Sequence, residues 1–179
     1  MMRVGRSQAS RIRLIVLDVD GVLTDGRLIF GRNGEETKAF SVRDGIGIKL
    51  AQFGGIEVAF LSARTSDLVM RRAEALGVKD VQLGKERKLE ALTQMAARRG
   101  LALDEIAYVG DDIVDIEPVS AVGVGVAVGD ACDDLKEVAG WITAAPGGCG
   151  AVRETIEAIL RARGDWVAVY RGYLAAASA

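Results

Sequence analysis

The sequence predicts an α/β fold: a parallel sheet with helices on both faces and a small inserted β-hairpin. Three observations carry this. Short runs of branched apolar residues recur along the chain and read as strands buried on both faces. Segments with helical spacing lie between them, and each stops at a glycine, the residue best suited to a helix C-terminus. One stretch breaks the alternation with an Asn-Gly pair between apolar flanks, a strong short-range hairpin signal.

Ile12 to Val19 (IRLIVLDV) is the first strand run, closed by acidic residues and Gly21. Leu28-Ile29-Phe30 and Lys38-Ala39-Phe40 flank Gly31-Arg32-Asn33-Gly34-Glu35, so the hairpin is an insertion over residues 27–41. Ile46 to Phe53 reads as a helix ended by Gly54-Gly55, with Asp44 placed to cap its first turn. Ile56–Leu61 is the next strand, followed by a helix from Leu68 to Leu76 with Ser66 before it and Gly77 after it. Beyond Val81-Gln82-Leu83-Gly84, a helix from Leu89 to Arg99 ends at Gly100. Asp104 stands where it can cap either a helical first turn or a turn ahead of the strand run Ile106–Val109, and Val122–Val128 supplies another strand. Trp141-Ile142-Thr143 is the last strand, and the loop Ala145-Pro146-Gly147-Gly148-Cys149-Gly150 leads into an amphipathic helix from Ala151 to Arg163. Asp165 to Ala179 is Ala-rich and weakly patterned, which suits either a helix or a mobile arm. No repeat, linker or low-complexity block divides the chain, so residues 1–179 are expected to form one domain.

Composition narrows the chemistry. Half of the 179 residues are hydrophobic, enough for one well-buried core. With 23 basic and 25 acidic side chains the net charge is −2, so the chain lacks the cationic excess that nucleic-acid backbones require. No apolar run approaches a membrane span. The arginine-bearing start (Arg3, Arg6, Arg11, Arg13) has no apolar stretch long enough for a signal peptide, so a cytoplasmic protein is expected. Cys132 and Cys149 are too few and too scattered for a disulfide framework and are expected to be reduced thiols. The absence of histidine removes imidazole triads, imidazole zinc sites and imidazole bases together. Any catalysis must rest on carboxylates, lysine, hydroxyls or a hard metal.

Four motifs supply that equipment. Asp18-Val19-Asp20-Gly21 puts two carboxylates at the end of the first buried strand, where open parallel sheets place their ligands, and Gly21 allows an anion to approach backbone N–H groups. An ordinary strand-end turn with an Asp cap has the same appearance. Leu61-Ser62-Ala63-Arg64 ends another strand with a hydroxyl and a guanidinium, although a serine there is often only a cap. Lys88 opens a helix where a cation can reach a bound phosphate, although periodicity does not single it out from Lys85 and Arg87, and most of these charges are expected to be solvated surface. Gly110-Asp111-Asp112, with Asp115 one turn on, gathers further carboxylates after a strand. Such clusters repel unless a cation compensates, which points to a divalent ion, most simply Mg²⁺. For Asp112 and Asp115 a macrodipole-favoured helix N-terminus is an equal explanation.

Taken in order, D-V-D-G-V-L-T-D-G, L-S-A-R, Lys88 and G-D-D-x-x-D resemble the four motifs of the haloacid dehalogenase-type phosphatases. The stretches Gly34 to Gly45 and Gly147 to Glu154 more narrowly resemble the capless subgroup that acts on 3-deoxy-D-manno-octulosonate 8-phosphate, and the likeness runs from Leu14 to Leu160. The resemblance implies a Rossmann-like sheet in which the hairpin stands in place of a cap domain. It implies Mg²⁺-dependent hydrolysis of a sugar-acid phosphate through an aspartyl phosphate. Asp18 would be nucleophile and Mg²⁺ ligand, and Asp20 the general acid/base that lends its carbonyl to the metal. Asp111 would be the remaining ligand, Ser62 and Lys88 would hold the phosphoryl group, and Arg64 would bind substrate. Backbone N–H groups around Val19 and Gly21 add to the phosphate site, while Asp112 and Asp115 support the metal shell. It further implies a homotetramer whose hairpins pack together, with the segment after Pro146 reaching a neighbour's cleft, and a place in lipopolysaccharide precursor synthesis. Two positions depart from the pattern: Ala63 stands where the family usually has Gly, and Cys149 where some members have Arg. The alternatives are a phosphatase for another sugar-acid phosphate, such as a nonulosonate 9-phosphate, and a non-catalytic phospho-receiver module.

Overall fold

The computed structural model describes residues 5–177. Arg3 and the last two residues of the expected C-terminal arm lie outside the described residues. The strands are β1 (Leu14–Leu17), β2 (Ile29–Phe30), β3 (Glu36–Thr37), β4 (Glu57–Leu61), β5 (Asp80–Gln82), β6 (Ile106–Gly110), β7 (Val124–Ala127) and β8 (Trp141–Ile142). The helices are α1 (Arg6–Ala9), α2 (Val42–Phe53), α3 (Asp67–Leu76), α4 (Lys88–Arg99), α5 (Ile116–Ala121), α6 (Asp133–Val138), α7 (Ala151–Arg163) and α8 (Trp166–Ala177).

Six strands form one sheet in the order β5-β4-β1-β6-β7-β8, with every pairing parallel. Central β1 is buried at all four residues, as its apolar run without alternation requires. Helices α2, α7 and α8 pack against one another, while α4, α5 and α6 pack as a second group. The β2–β3 hairpin stands apart from the sheet, pairing Ile29 with Thr37 and Phe30 with Glu36. Its second strand therefore precedes Lys38-Ala39-Phe40, the stretch expected to form it.

Other boundaries shifted for identifiable reasons. The first strand stops at Leu17, because Asp18 turns into a loop while its N–H still donates to the Val109 carbonyl (3.0 Å). Helix α2 begins four residues before the expected Ile46. Ser41 is its N-cap and accepts from the Asp44 N–H (3.3 Å). Asp44 does not cap its own helix. Its buried carboxylate accepts the N–H groups of Gly150 (3.1 Å) and Arg153 (2.8 Å), so it caps α7 from across the α2–α7 contact. Gly47 makes that contact close: a Cβ there would lie 3.0 Å from Arg153 Cα. Ser66 precedes α3 without a side-chain cap, and Asp104 sits in a 3₁₀ turn, paired at the surface with Arg11 (2.6 Å).

The C-terminal segment is a helix. Its aromatic residues return at helical spacing to one face: Val169 is buried, Tyr173 meets Phe53 edge-on at 6.0 Å, and Arg153 and Arg161 lie over Trp166 at 5.2 and 5.0 Å.

Candidate active site

The sheet runs outward in opposite directions from β1, to β4 on one side and β6 on the other, and a crevice opens at such a switch point. Asp18 follows β1, Ser62 follows β4 and Asp111 follows β6, so three motif residues come from adjacent strand ends. Lys88, the first residue of α4, supplies the fourth. Its Nζ lies 3.0 Å from Asp18 Oδ1 and 2.7 Å from Asp115 Oδ1, with its side chain 2% exposed.

Asp115 organises the cluster. It is fully buried; Oδ1 accepts from Lys88 and from the Tyr108 hydroxyl (2.7 Å), and Oδ2 accepts from the Asp111 (3.1 Å) and Asp112 (3.4 Å) N–H groups. Sequence reasoning assigned Asp115 only a supporting part and passed over Tyr108, whose alternate position in a buried strand gave no polar signal. Asp112 is the N-cap of the short 3₁₀ turn that follows it and accepts the Ile113 N–H at 2.8 Å.

Carboxylate oxygens of Asp18, Asp111 and Asp115 all lie within 4.8 Å of one another, and Lys88 is the cation paired with two of them. Burial, and then the Asp115 charge, push the Asp18 carboxyl up to about 6 against the pull of Lys88. Burial, and then Asp18 and Asp115, push Asp111 up to about 8. Burial alone would lower Lys88, but Asp18 and Asp115 outweigh it and hold the ammonium above the ordinary lysine range. An all-oxygen, charge-excess set of this kind suits a hard divalent cation.

The turn after Asp18 is set by glycine. Gly21 has φ +94°, and a Cβ there would collide with the Asp111 carboxylate. Its N–H donates to Thr24 Oγ1 at 3.3 Å rather than pointing freely into the crevice. Behind this turn, Gly147 packs so closely that a Cβ would strike the Gly21 carbonyl, Gly148 N–H donates to the Val22 carbonyl (2.9 Å), and Asp130 accepts from Gly147 N–H (2.8 Å). The start of the segment after Pro146, expected to reach a neighbour, is thus tied to its own chain.

On the rim, buried Ser62 accepts the Arg64 N–H (3.2 Å), and the Arg64 guanidinium lies 3.7 Å from Asp20 and 3.4 Å from Glu36. Lys38, which sequence reasoning did not single out, leaves the hairpin with its side chain 1% exposed, paired to Asp20 and, at 3.0 Å, to Glu36.

Residues 80–152 match the model of the haloacid dehalogenase-like hydrolases. Over 158 residues, 88% of this chain and 84% of the relative, the sequence is 44% identical to the 3-deoxy-D-manno-octulosonate 8-phosphate phosphatase of Escherichia coli (strain K12). The chain belongs to this phosphatase family. The Haemophilus influenzae relative of the same name is 41% identical over 159 residues, 89% of this chain and 88% of its own. A crystal structure of the Moraxella catarrhalis phosphatase in complex with a magnesium ion, a phosphate ion and a KDO molecule matches with a TM-score of 0.91. It is 39% identical and covers 94% of this chain and 97% of that one.

The two departures from the family pattern do not disturb the frame. No described non-glycine residue has a positive φ, so Ala63 is unstrained where the family usually has glycine. Cys149 is exposed and lies between Gly148, which bonds Val22, and Gly150, which bonds Asp44.

Proposed function

We propose that this protein is a Mg²⁺-dependent phosphomonoesterase that converts 3-deoxy-D-manno-octulosonate 8-phosphate to 3-deoxy-D-manno-octulosonate and phosphate through an aspartyl phosphate. The observation that carries the reading is Asp18, buried at the switch point with Lys88 on one oxygen and Asp111 facing it. Asp18 attacks phosphorus as the ester P–O bond breaks, and Asp20 gives its proton to the departing alcohol. In the second step water attacks the phosphorus of the aspartyl phosphate while Asp20 takes its proton, which frees phosphate and regenerates Asp18. Lys88 and Ser62 hold the phosphoryl oxygens, Gly21 keeps the space beside Asp111 open, and Arg64 meets the sugar acid. Asp18, Asp111 and the Asp20 carbonyl would hold Mg²⁺, which when bound offsets charge on the phosphoryl oxygens. Asp115 keeps Lys88 and the Asp111 backbone in place.

The chain acts as one domain without a cap, and as a homotetramer in the cytoplasm. Leu28, Ile29 and Phe30 on the hairpin are exposed, which supports burial against other copies. Among the described residues no helix is long and apolar enough to cross a membrane.

The test is Mg²⁺-dependent phosphate release from the octulosonate ester, run beside a nonulosonate 9-phosphate and a simple aryl phosphate, with Asp18→Asn as control. Preference for the octulosonate ester that disappears in the control supports the reading. Equal turnover of all three removes the named substrate, and no release from any removes the phosphatase in favour of a phospho-receiver.

A further inference from the structure

The reaction needs Asp20 at a fixed place. Among the described residues, two cations from different elements pair with its carboxylate. Arg64 reaches it at 3.7 Å from a side chain that is nearly half exposed, a distance and setting at which an ion pair orients weakly. Lys38 is different. Its side chain is almost wholly buried, and its ammonium pairs with Asp20 Oδ1 on one side and Glu36 Oε1 on the other (3.0 Å). Glu36 sits in β3, two residues before Lys38, and is itself held below the ordinary carboxylate range first by the hydrogen bond from Lys38. A buried ammonium clamped between two carboxylates has little freedom to turn, so the Asp20 carboxylate inherits that fixity.

We propose that Lys38 is a positioning residue: through its buried pair with Asp20, the hairpin sets the orientation from which Asp20 passes its proton to the leaving group. The proposal rests on the phosphatase reading above. It gives the hairpin a part in the chemistry of its own subunit, separate from any contact with other copies. Lys38 touches neither phosphorus nor the leaving oxygen, and its effect passes entirely through Asp20.

Leaving groups differ in how much they need a proton, and that difference isolates the effect. A series of aryl phosphates graded in leaving-group pKa, all lacking the sugar acid's carboxylate, is compared in wild type, Lys38→Met and Lys38→Arg by kcat/KM, which reports only steps up to alcohol release. Folding is followed by thermal melting. Positioned proton donation is commonly worth 10²–10⁴-fold, so Lys38→Met should lose at least about tenfold more on the most basic leaving group than on the least basic. Lys38→Arg, which keeps the charge, should recover part of that difference. A loss uniform across the series, or no loss, would overturn the proposal, since a purely structural lysine acts on all esters alike. If Lys38→Met does not fold, Lys38→Gln is read by the same slope. The octulosonate ester is run beside the series and carries the same wild type to Lys38→Met comparison if the aryl esters are not turned over. Wild type inactive on the octulosonate ester as well, or Asp18→Asn still active, would instead defeat the underlying phosphatase reading.

Discussion

Replacing Asp44 tests how the active-site loop is supported from a distance. Asp44 is 1% exposed, and its two oxygens accept the Gly150 and Arg153 N–H groups at 3.1 and 2.8 Å. These are otherwise unpaired donors at the positive end of α7, so Asp44→Ala strands them in the interior and removes a favourable charge from the macrodipole. A hydrogen bond to a charged group contributes about 1.5–3 kcal/mol and a lost N-cap typically costs about 1 kcal/mol, so a loss of about 3 kcal/mol is expected. At about 2–4 °C per kcal/mol for a chain of this size, the melting temperature should fall by about 6–12 °C. Asp44→Asn keeps one acceptor and should lose about half as much. Urea unfolding and thermal melts, run with Mg²⁺ and without it, measure both. The capping argument fails if Asp44→Ala costs under about 1 kcal/mol, or if Asn is as damaging as Ala.

Asp115→Asn should weaken Mg²⁺ binding or turnover by about 10–100-fold, because an amide nitrogen would face Lys88 or the Asp111 N–H where an oxygen now accepts; titration calorimetry and kcat measure the two effects. Tyr108→Phe removes one buried bond to Asp115 and should cost about 1 kcal/mol in urea unfolding with turnover largely kept. Gly21→Ala should fold yet lose Mg²⁺ affinity, since the new Cβ occupies the Asp111 carboxylate position. Asp18 and Asp111 are raised from 3.8 to about 6 and about 8, so the metal-free fold holds protons that the unfolded chain releases. That contribution is full below 3.8 and lost as pH rises through 6 and then 8. Melts should therefore show stabilisation by Mg²⁺ over EDTA growing from pH 5 to pH 8, and an equal increment at both would contradict the assignment.

The residues proposed to carry chemistry stood out where they follow apolar strands: Asp18, Ser62 and Asp111 are each the first polar group after a buried run, whereas only the family resemblance set Lys88 apart from Lys85 and Arg87. Elements with short or mixed patterns did not stand out. Strand β5 is three half-buried residues at the sheet edge, and α5 and α6 are six residues each, too short for a 3.6-residue period to register. Lys38 was hidden for another reason. Between exposed neighbours in a hairpin it reads as a solvated lysine, and only the fold reveals that Asp20 and Glu36 bury it. Asp44 misled in the opposite sense, since its place before an apolar run looks like a local cap while its partners are 106 and 109 residues away.

The stretch from Gly147 to Glu154 illustrates how a motif can matter to catalysis without containing a reacting group. Its glycine and charged positions account for most of the contacts that fix the start of α7. Gly147 admits the Gly21 carbonyl, Gly148 bonds Val22, Gly150 and Arg153 bond Asp44, and Glu154 accepts the N–H groups of Ala144 and Ala145 at 2.9 Å each. The start of α7 is thereby fixed to α2, to the loop after β8 and to the turn that follows Asp18. As the proposed nucleophile, Asp18 must be held to within a fraction of an ångström, yet the carboxylates around it repel it. The close packing of Gly147 on Gly21 and the Gly148–Val22 hydrogen bond hold the turn that follows Asp18 against that repulsion.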